Sequence, residues 1–114
     1  MQELVRVSAL REAAGPLCLR IEGEMDLSNT QAVRDQIDEL LGDDANLILD
    51  LGPVTFMDST ALGMIIHLAK RLEQREGKLA LIITNPPIQK LFSITALDRH
   101  FTICETREDA LKRF

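Results

Sequence analysis

The 114 residues predict an α/β fold, a mixed and mostly parallel sheet of four to five strands flanked by about four helices. Three observations carry that prediction. Strand-like runs alternate with runs of helical period along most of the chain, the order that builds parallel sheets covered by helices. Two strand runs stand side by side at the start, which adds an antiparallel hairpin. Apolar residues make up 46% of the chain, enough for one core, and the length suits a single domain over 1–114.

Each element has its own signal. In the first run Leu4, Arg6, Ser8 and Leu10 alternate with Val5, Val7 and Ala9. Leu17 to Gly23 resumes the alternation with Leu17, Leu19 and Ile21 on one face, and Ala13-Ala14-Gly15-Pro16 reads as the hairpin turn. Ser28 is placed as the N-cap of a first helix. Val33, Ile37, Leu40 and Leu41 form its apolar face, Arg34, Asp35, Asp38 and Glu39 its outer face, and Gly42 its C′ stop. Asn46 to Leu51 is an apolar strand of the kind covered on both faces, ended by Gly52-Pro53. A second helix is predicted from about Thr60 to Gln74, with Leu62, Ile65, Ile66, Ala69 and Leu72 inward and Gly77 as its stop. Leu79 to Thr84 is another apolar strand, and Asn85-Pro86-Pro87 leads into a short helix with Ile88, Leu91 and Phe92. Phe101, Ile103 and Cys104 predict a brief last strand. Thr106 and Asp109 open a C-terminal helix in a near capping-box arrangement.

Composition narrows the function classes. Trp and Tyr are absent and only four Phe occur, so the core is aliphatic and no aromatic platform is available to stack sugars or single-stranded bases. The net charge is −5 with basic residues scattered, the opposite of a phosphate-tracking surface, so no nucleic-acid partner is expected. The longest apolar-rich run, Ala61 to Ala69, is broken by His67 and falls short of a bilayer span; no membrane association is expected. Glu3, Arg6, Arg11 and Glu12 stand where a signal peptide needs apolar residues, which predicts a cytoplasmic protein. Cys18 and Cys104 lie far apart beside apolar neighbours and read as buried reduced thiols. His67 has no Asp, Glu or Cys at i±4, and His100 has only Cys104 nearby, so neither is assigned to a metal. Phosphate-binding glycine loops and a Ser-His-Asp order are absent, so no cofactor and no catalytic residue are assigned.

The most informative stretch is LGPVTFMDSTALGMIIHLAKR, Leu51 to Arg71, in which Asp58-Ser59-Thr60 stands where the second helix begins. Asp58 or Ser59 reads structurally as its N-cap. The same place has a functional logic. Orphan N–H groups and the helix dipole favour an anion there. A phosphate on Ser59 would add about −1.5 to −2 charge without unfolding its own helix, and a partner docked over the spot would meet new charge and bulk.

FMDSTALG, preceded by the strand LILDL and followed by an apolar helix, resembles the signature of the STAS domain, and more narrowly that of the stand-alone bacterial anti-sigma factor antagonists. GEMDLSN is similar to the family's Gly-Glu-Leu/Ile-Asp turn after the second strand, so the resemblance spans nearly the whole chain. It implies a non-enzymatic regulator. Unphosphorylated, such a protein binds an anti-sigma factor that is also a histidine-kinase-like serine kinase, and so frees a sigma factor. Phosphorylation of the serine after the motif's aspartate releases it, and a serine phosphatase resets it. Carried over, that serine is Ser59; Asp58 matches the acidic neighbour that engages the kinase, Asp26 the acidic residue of the turn, and Thr60 the second hydroxyl. Ala61 and Met64 complete the partner-facing set that the resemblance implies, in a monomer or weak dimer. Ala61 departs from the family's usual glycine, which predicts a stiffer first turn and a methyl that crowds the partner. Two readings share the fold: a STAS scaffold in another phosphorelay, controlling a phosphatase or cyclase, and a regulatory subunit of a lipid-transport ATPase. Ser59 counts against the second, whose members often lack an acceptor serine. A small enzyme with Ser59 as nucleophile would need a base that neither histidine is placed to supply.

Overall fold

A computed structural model describes residues 5–11 and 15–114. The chain opens on the expected hairpin: β1 (Val5–Arg11) pairs antiparallel with β2 (Leu17–Met25), Val7 opposite Ile21 and Ala9 opposite Leu19. Leu4, and Ala13 and Ala14 of the expected turn, lie outside the described residues. Then follow α1 (Thr30–Leu41), β3 (Asn46–Asp50), β4 (Val54–Met57), α2 (Ser59–Gln74) and β5 (Lys78–Ile82). The chain ends with α3 (Pro86–Ile94), a 3-10 turn at Leu97–Arg99, β6 (Thr102–Cys104) and α4 (Arg107–Leu111). The strands lie in the order β1-β2-β3-β5-β6, and every pairing after the hairpin is parallel.

Strand periodicity divides the apolar residues between two layers. Leu17, Leu19 and Ile21 of β2, Leu47 and Leu49 of β3, and Leu79 and Leu81 of β5 face one way, into a core closed by α1, α2 and α3. Cys18, Ile48, Ala80, Ile82 and Cys104 face the other way and are covered by α4 through Ala110 and Leu111. Both cysteines are free and buried, and burial pushes the Cys18 thiol up in pKa. Phe92 of α3 anchors its end of the core edge-on against Phe101, with ring centroids 6.0 Å apart.

Four details differ from the sequence expectations. The sheet has a further strand, β4, which pairs with β2 beyond the point where β3 leaves it. Its burial runs buried, exposed, exposed, buried, because the β2–β4 register shifts between Gly23 and Glu24; strict alternation is therefore missing from its sequence. The N-cap of α1 is Asn29, with no side-chain cap bond, while the Ser28 hydroxyl donates instead to the Asp26 carboxylate. Leu40 is 41% exposed: Thr30, Val33, Ile37 and Leu41 form the buried line of α1, and Leu40 falls at its edge. Ile66 is only half-buried.

Gly77 has a stronger reason than helix termination. A Cβ there would lie 1.7 Å from the Ala45 carbonyl oxygen, so the chain can pass this close to the β3 entry only without a side chain. Thr106 caps α4 as expected, accepting from the Asp109 N–H.

Candidate functional site

Two parallel strands bring the candidate residues together. Met25 of β2 stands opposite Met57 of β4, so Asp26 and Asp58 leave the sheet side by side, and the Asp58 N–H donates to the Met25 carbonyl. From that pair each chain turns into a helix, α1 after the Asp26 loop and α2 directly after Asp58.

Asp58 is the N-cap of α2, in extended conformation. Its Oδ1 accepts from the backbone N–H of Thr60 at 3.0 Å and of Ala61 at 3.2 Å, and from the Thr60 hydroxyl at 2.5 Å. Its Oδ2 accepts from the Leu27 N–H at 3.0 Å, which pins the loop before α1. These bonds, led by the Thr60 hydroxyl, hold the Asp58 carboxyl below the usual carboxylate range. Asp26 organises the same loop: its Oδ1 accepts from the N–H and hydroxyl of Ser28, and its carbonyl from the hydroxyl of Thr30. The Thr30 and Thr60 hydroxyls lie 3.1 Å apart, so the two helix starts meet through them.

Ser59 and Thr60 are neighbours with opposite circumstances. The Thr60 hydroxyl is half-buried and donates to Asp58. The Ser59 side chain is exposed, and its hydroxyl makes no hydrogen bond among the described residues. Because Asp58 already occupies the free N–H groups of Thr60 and Ala61, an anion on Ser59 would find them taken and would project into solvent.

Asp26, Asp58, Ser59 and Thr60 are thus assembled in one place, while two further expected residues, Ala61 and Met64, are buried. Ala61 is 0% exposed and Met64 3%, both turned into the core because they follow the buried line of α2. The Ala61 methyl therefore packs in the core, and its difference from glycine acts on the helix and on that packing. Two residues join the site that the sequence reading passed over. Leu27 has its backbone held by Asp58 and is 76% exposed; an apolar residue in the polar turn Asp26-Leu27-Ser28-Asn29 was the signal. Gly63 lies one helical turn after Ser59, with open space where a Cβ would stand. The described residues hold no group of three or more potential metal ligands, and no helix is long and apolar enough to cross a membrane.

A strand pair ending in two aspartates, a capped helix and an open serine on its first turn define the class. Residues 8–110 match the STAS domain model, and the chain belongs to the STAS domain family. Among its relatives, an anti-sigma F factor antagonist from Paenibacillus polymyxa is 32% identical over 99 residues, covering 85% of each chain. The crystal structure of an anti-sigma factor antagonist from Mycobacterium paratuberculosis superposes with a TM-score of 0.84 at 23% identity, covering 96% of this chain and 92% of that one. The anti-sigma factor antagonist SpoIIAA in its unphosphorylated form gives a TM-score of 0.77 at 22% identity, covering 95% of each chain. Its phosphorylated form gives 0.70 at 23% identity, covering 95% of this chain and 98% of that one. These structural likenesses establish the mixed, mostly parallel α/β fold.

Proposed function

We propose that this protein is an anti-sigma factor antagonist, a cytoplasmic binding module that catalyses nothing itself and is switched by phosphorylation of Ser59. The carrying observation is the contrast at the start of α2: the Ser59 hydroxyl is exposed and unengaged, whereas that of Thr60 is spent on the cap. A kinase needs a hydroxyl it can reach without dismantling the fold, and Ser59 offers one. Unphosphorylated, the surface around Ser59, Gly63 and Leu27 binds an anti-sigma factor that doubles as a serine kinase. Phosphate would then add about −1.5 to −2 charge beside Asp58 and Asp26, with the helix end already capped, so the change falls on the docking surface and not on the helix. A serine phosphatase restores the binding form. The similarity to named antagonists supports the choice of partner class.

Incubation with the cognate anti-sigma kinase and ATP, followed by mass spectrometry, is expected to place one phosphate on Ser59 and none on Ser59→Ala. Ser59→Asp is expected to weaken partner binding by at least about tenfold, a change of roughly 1.4 kcal/mol. Phosphate on Thr60, or undiminished binding by Ser59→Asp, would overturn the switch.

A further inference from the structure

We propose that Leu27 is the apolar anchor by which this protein holds its anti-sigma partner. The side chain is mounted in advance on the loop between β2 and α1, and an apolar pocket beside the partner's phosphoryl-transfer site receives it. The inference rests on the function proposed above and names the residue that supplies the affinity.

A lone exposed leucine is ordinary on a protein surface. Leu27, the most exposed large apolar residue among those described, is set apart by what the local structure gives up to hold it. Ser28 and Asn29, two of the best helix-capping residue types, stand directly before α1. Yet α1 has no side-chain cap bond and no acidic residue in its first turn. Both side chains are turned back into the loop instead. Asn29 Oδ1 accepts from the Asp26 N–H at 3.1 Å, and its Nδ2 donates to the Glu24 carbonyl at 2.8 Å. The Ser28 N–H and hydroxyl both donate to Asp26 Oδ1. The start of α1 goes without its usual side-chain acceptor, and the loop gains a fixed shape.

The mount is also tied to the helix that carries Ser59. The Leu27 N–H donates to Asp58 Oδ2 at 3.0 Å, while Asp58 Oδ1 caps α2, whose first residue is Ser59. One carboxylate therefore fixes the backbone of the anchor and the start of the switch helix together. Because that backbone is ordered before binding, burying Leu27 costs little beyond its own side-chain rotamers. Under that condition a single apolar residue can contribute a large share of an affinity. A polar surface would gain nothing from a leucine, so the receiving pocket is apolar.

The test uses the full chain and the anti-sigma kinase that phosphorylates Ser59, loaded with a non-hydrolysable ATP analogue so that no phosphate moves. Leu27→Asn keeps the backbone N–H and nearly the size of the side chain. It is expected to weaken binding at least about tenfold, mostly through faster dissociation, with its unfolding midpoint unchanged. Leu27→Met is expected to bind within about threefold of the parent. Ile94→Asn removes a comparably exposed apolar side chain at the end of α3 and is expected to bind as the parent does. Asn29→Ala is expected to weaken binding about threefold in the parent and not at all in the Leu27→Asn background, the coupling that a mount must show. Undiminished binding by Leu27→Asn, an equal loss in Ile94→Asn, or losses that simply add in the double variant would each overturn the proposal. If no kinase places phosphate on Ser59, the proposed function itself falls. If Ser59 is phosphorylated and Leu27→Asn still binds as tightly as the parent, only the anchor falls.

Discussion

The two sides of α2 differ in what they are for. Along the inward side Ala61, Leu62, Ile65, Leu68 and Leu72 are buried against the sheet, with Ile65 and Leu72 at 0% exposure. Along the outward side Ser59, His67 and Lys70 are exposed, and Gly63 leaves its part of the surface bare. One helix therefore carries the fold on one face and, under the proposed function, offers a partner the other, with Asp58 at its start. A substitution on the first face should change stability with partner binding following only from unfolding. One on the second should change binding and leave stability near its starting value.

The largest effect should come from the inward face. Ile65→Ala removes buried methyl groups from a position with no exposure and leaves a cavity, a cost of about 2–5 kcal/mol. Denaturant unfolding should show that loss as a lowered midpoint with an unchanged slope. Binding of the folded fraction should equal that of the parent protein. A folded Ile65→Ala protein with impaired partner binding would blur the division between the faces.

Asp58 should show an intermediate effect with a defined pH signature. Its carboxyl pKa is depressed in the folded state, chiefly by the Thr60 hydroxyl. The ionised form is therefore favoured by folding, and its stabilising contribution is present above the unfolded value of about 4. It is lost progressively as pH falls through the folded value. Asp58→Asn keeps a capping oxygen but no charge, so the stability gap between the two proteins should be open at neutral pH and close in acid. Unfolding midpoints measured from neutral pH down to acid check this. A gap that persists unchanged in acid would mean that geometry, and not charge, makes this cap.

This division also explains how much could be read from the sequence. The buried strands and the inward face of α2 were legible because burial imposes a period, and Leu17, Leu19 and Ile21 or Leu62, Ile65 and Leu72 keep it. β4 was not, since its register with β2 slips at Gly23 and Glu24, and a slip between two distant segments leaves no local mark. The cap at Asp58 was legible from its own neighbours. The start of α1 was not: Asn29 makes no side-chain cap bond, and Asp58 and Thr60, some thirty positions away, hold that region from outside it. Ser59 followed from its motif, but its distinction from Thr60 needed the hydrogen bond that only the fold forms. The burial of Ala61 and Met64 was not legible there, because a motif names neighbours along the chain and not which of them face the core.

The smallest change in stability, and the sharpest test of the comparison, belongs to Gly63. A glycine inside a helix costs roughly 0.5–1 kcal/mol relative to alanine, and here, apart from its chain neighbours and the surrounding backbone of α2, nothing stands within 4 Å of where the new methyl would be. Gly63→Ala should therefore raise stability by about that amount, read as a higher unfolding midpoint. The same methyl would stand on the outward face one turn after Ser59, where a close-packed partner needs bare backbone. Affinity for the partner should fall while stability rises, a pairing that a purely structural role for this glycine would not produce. If both rise together, the docking surface lies on another side of Ser59, toward Leu27 and the loop that Asp58 holds.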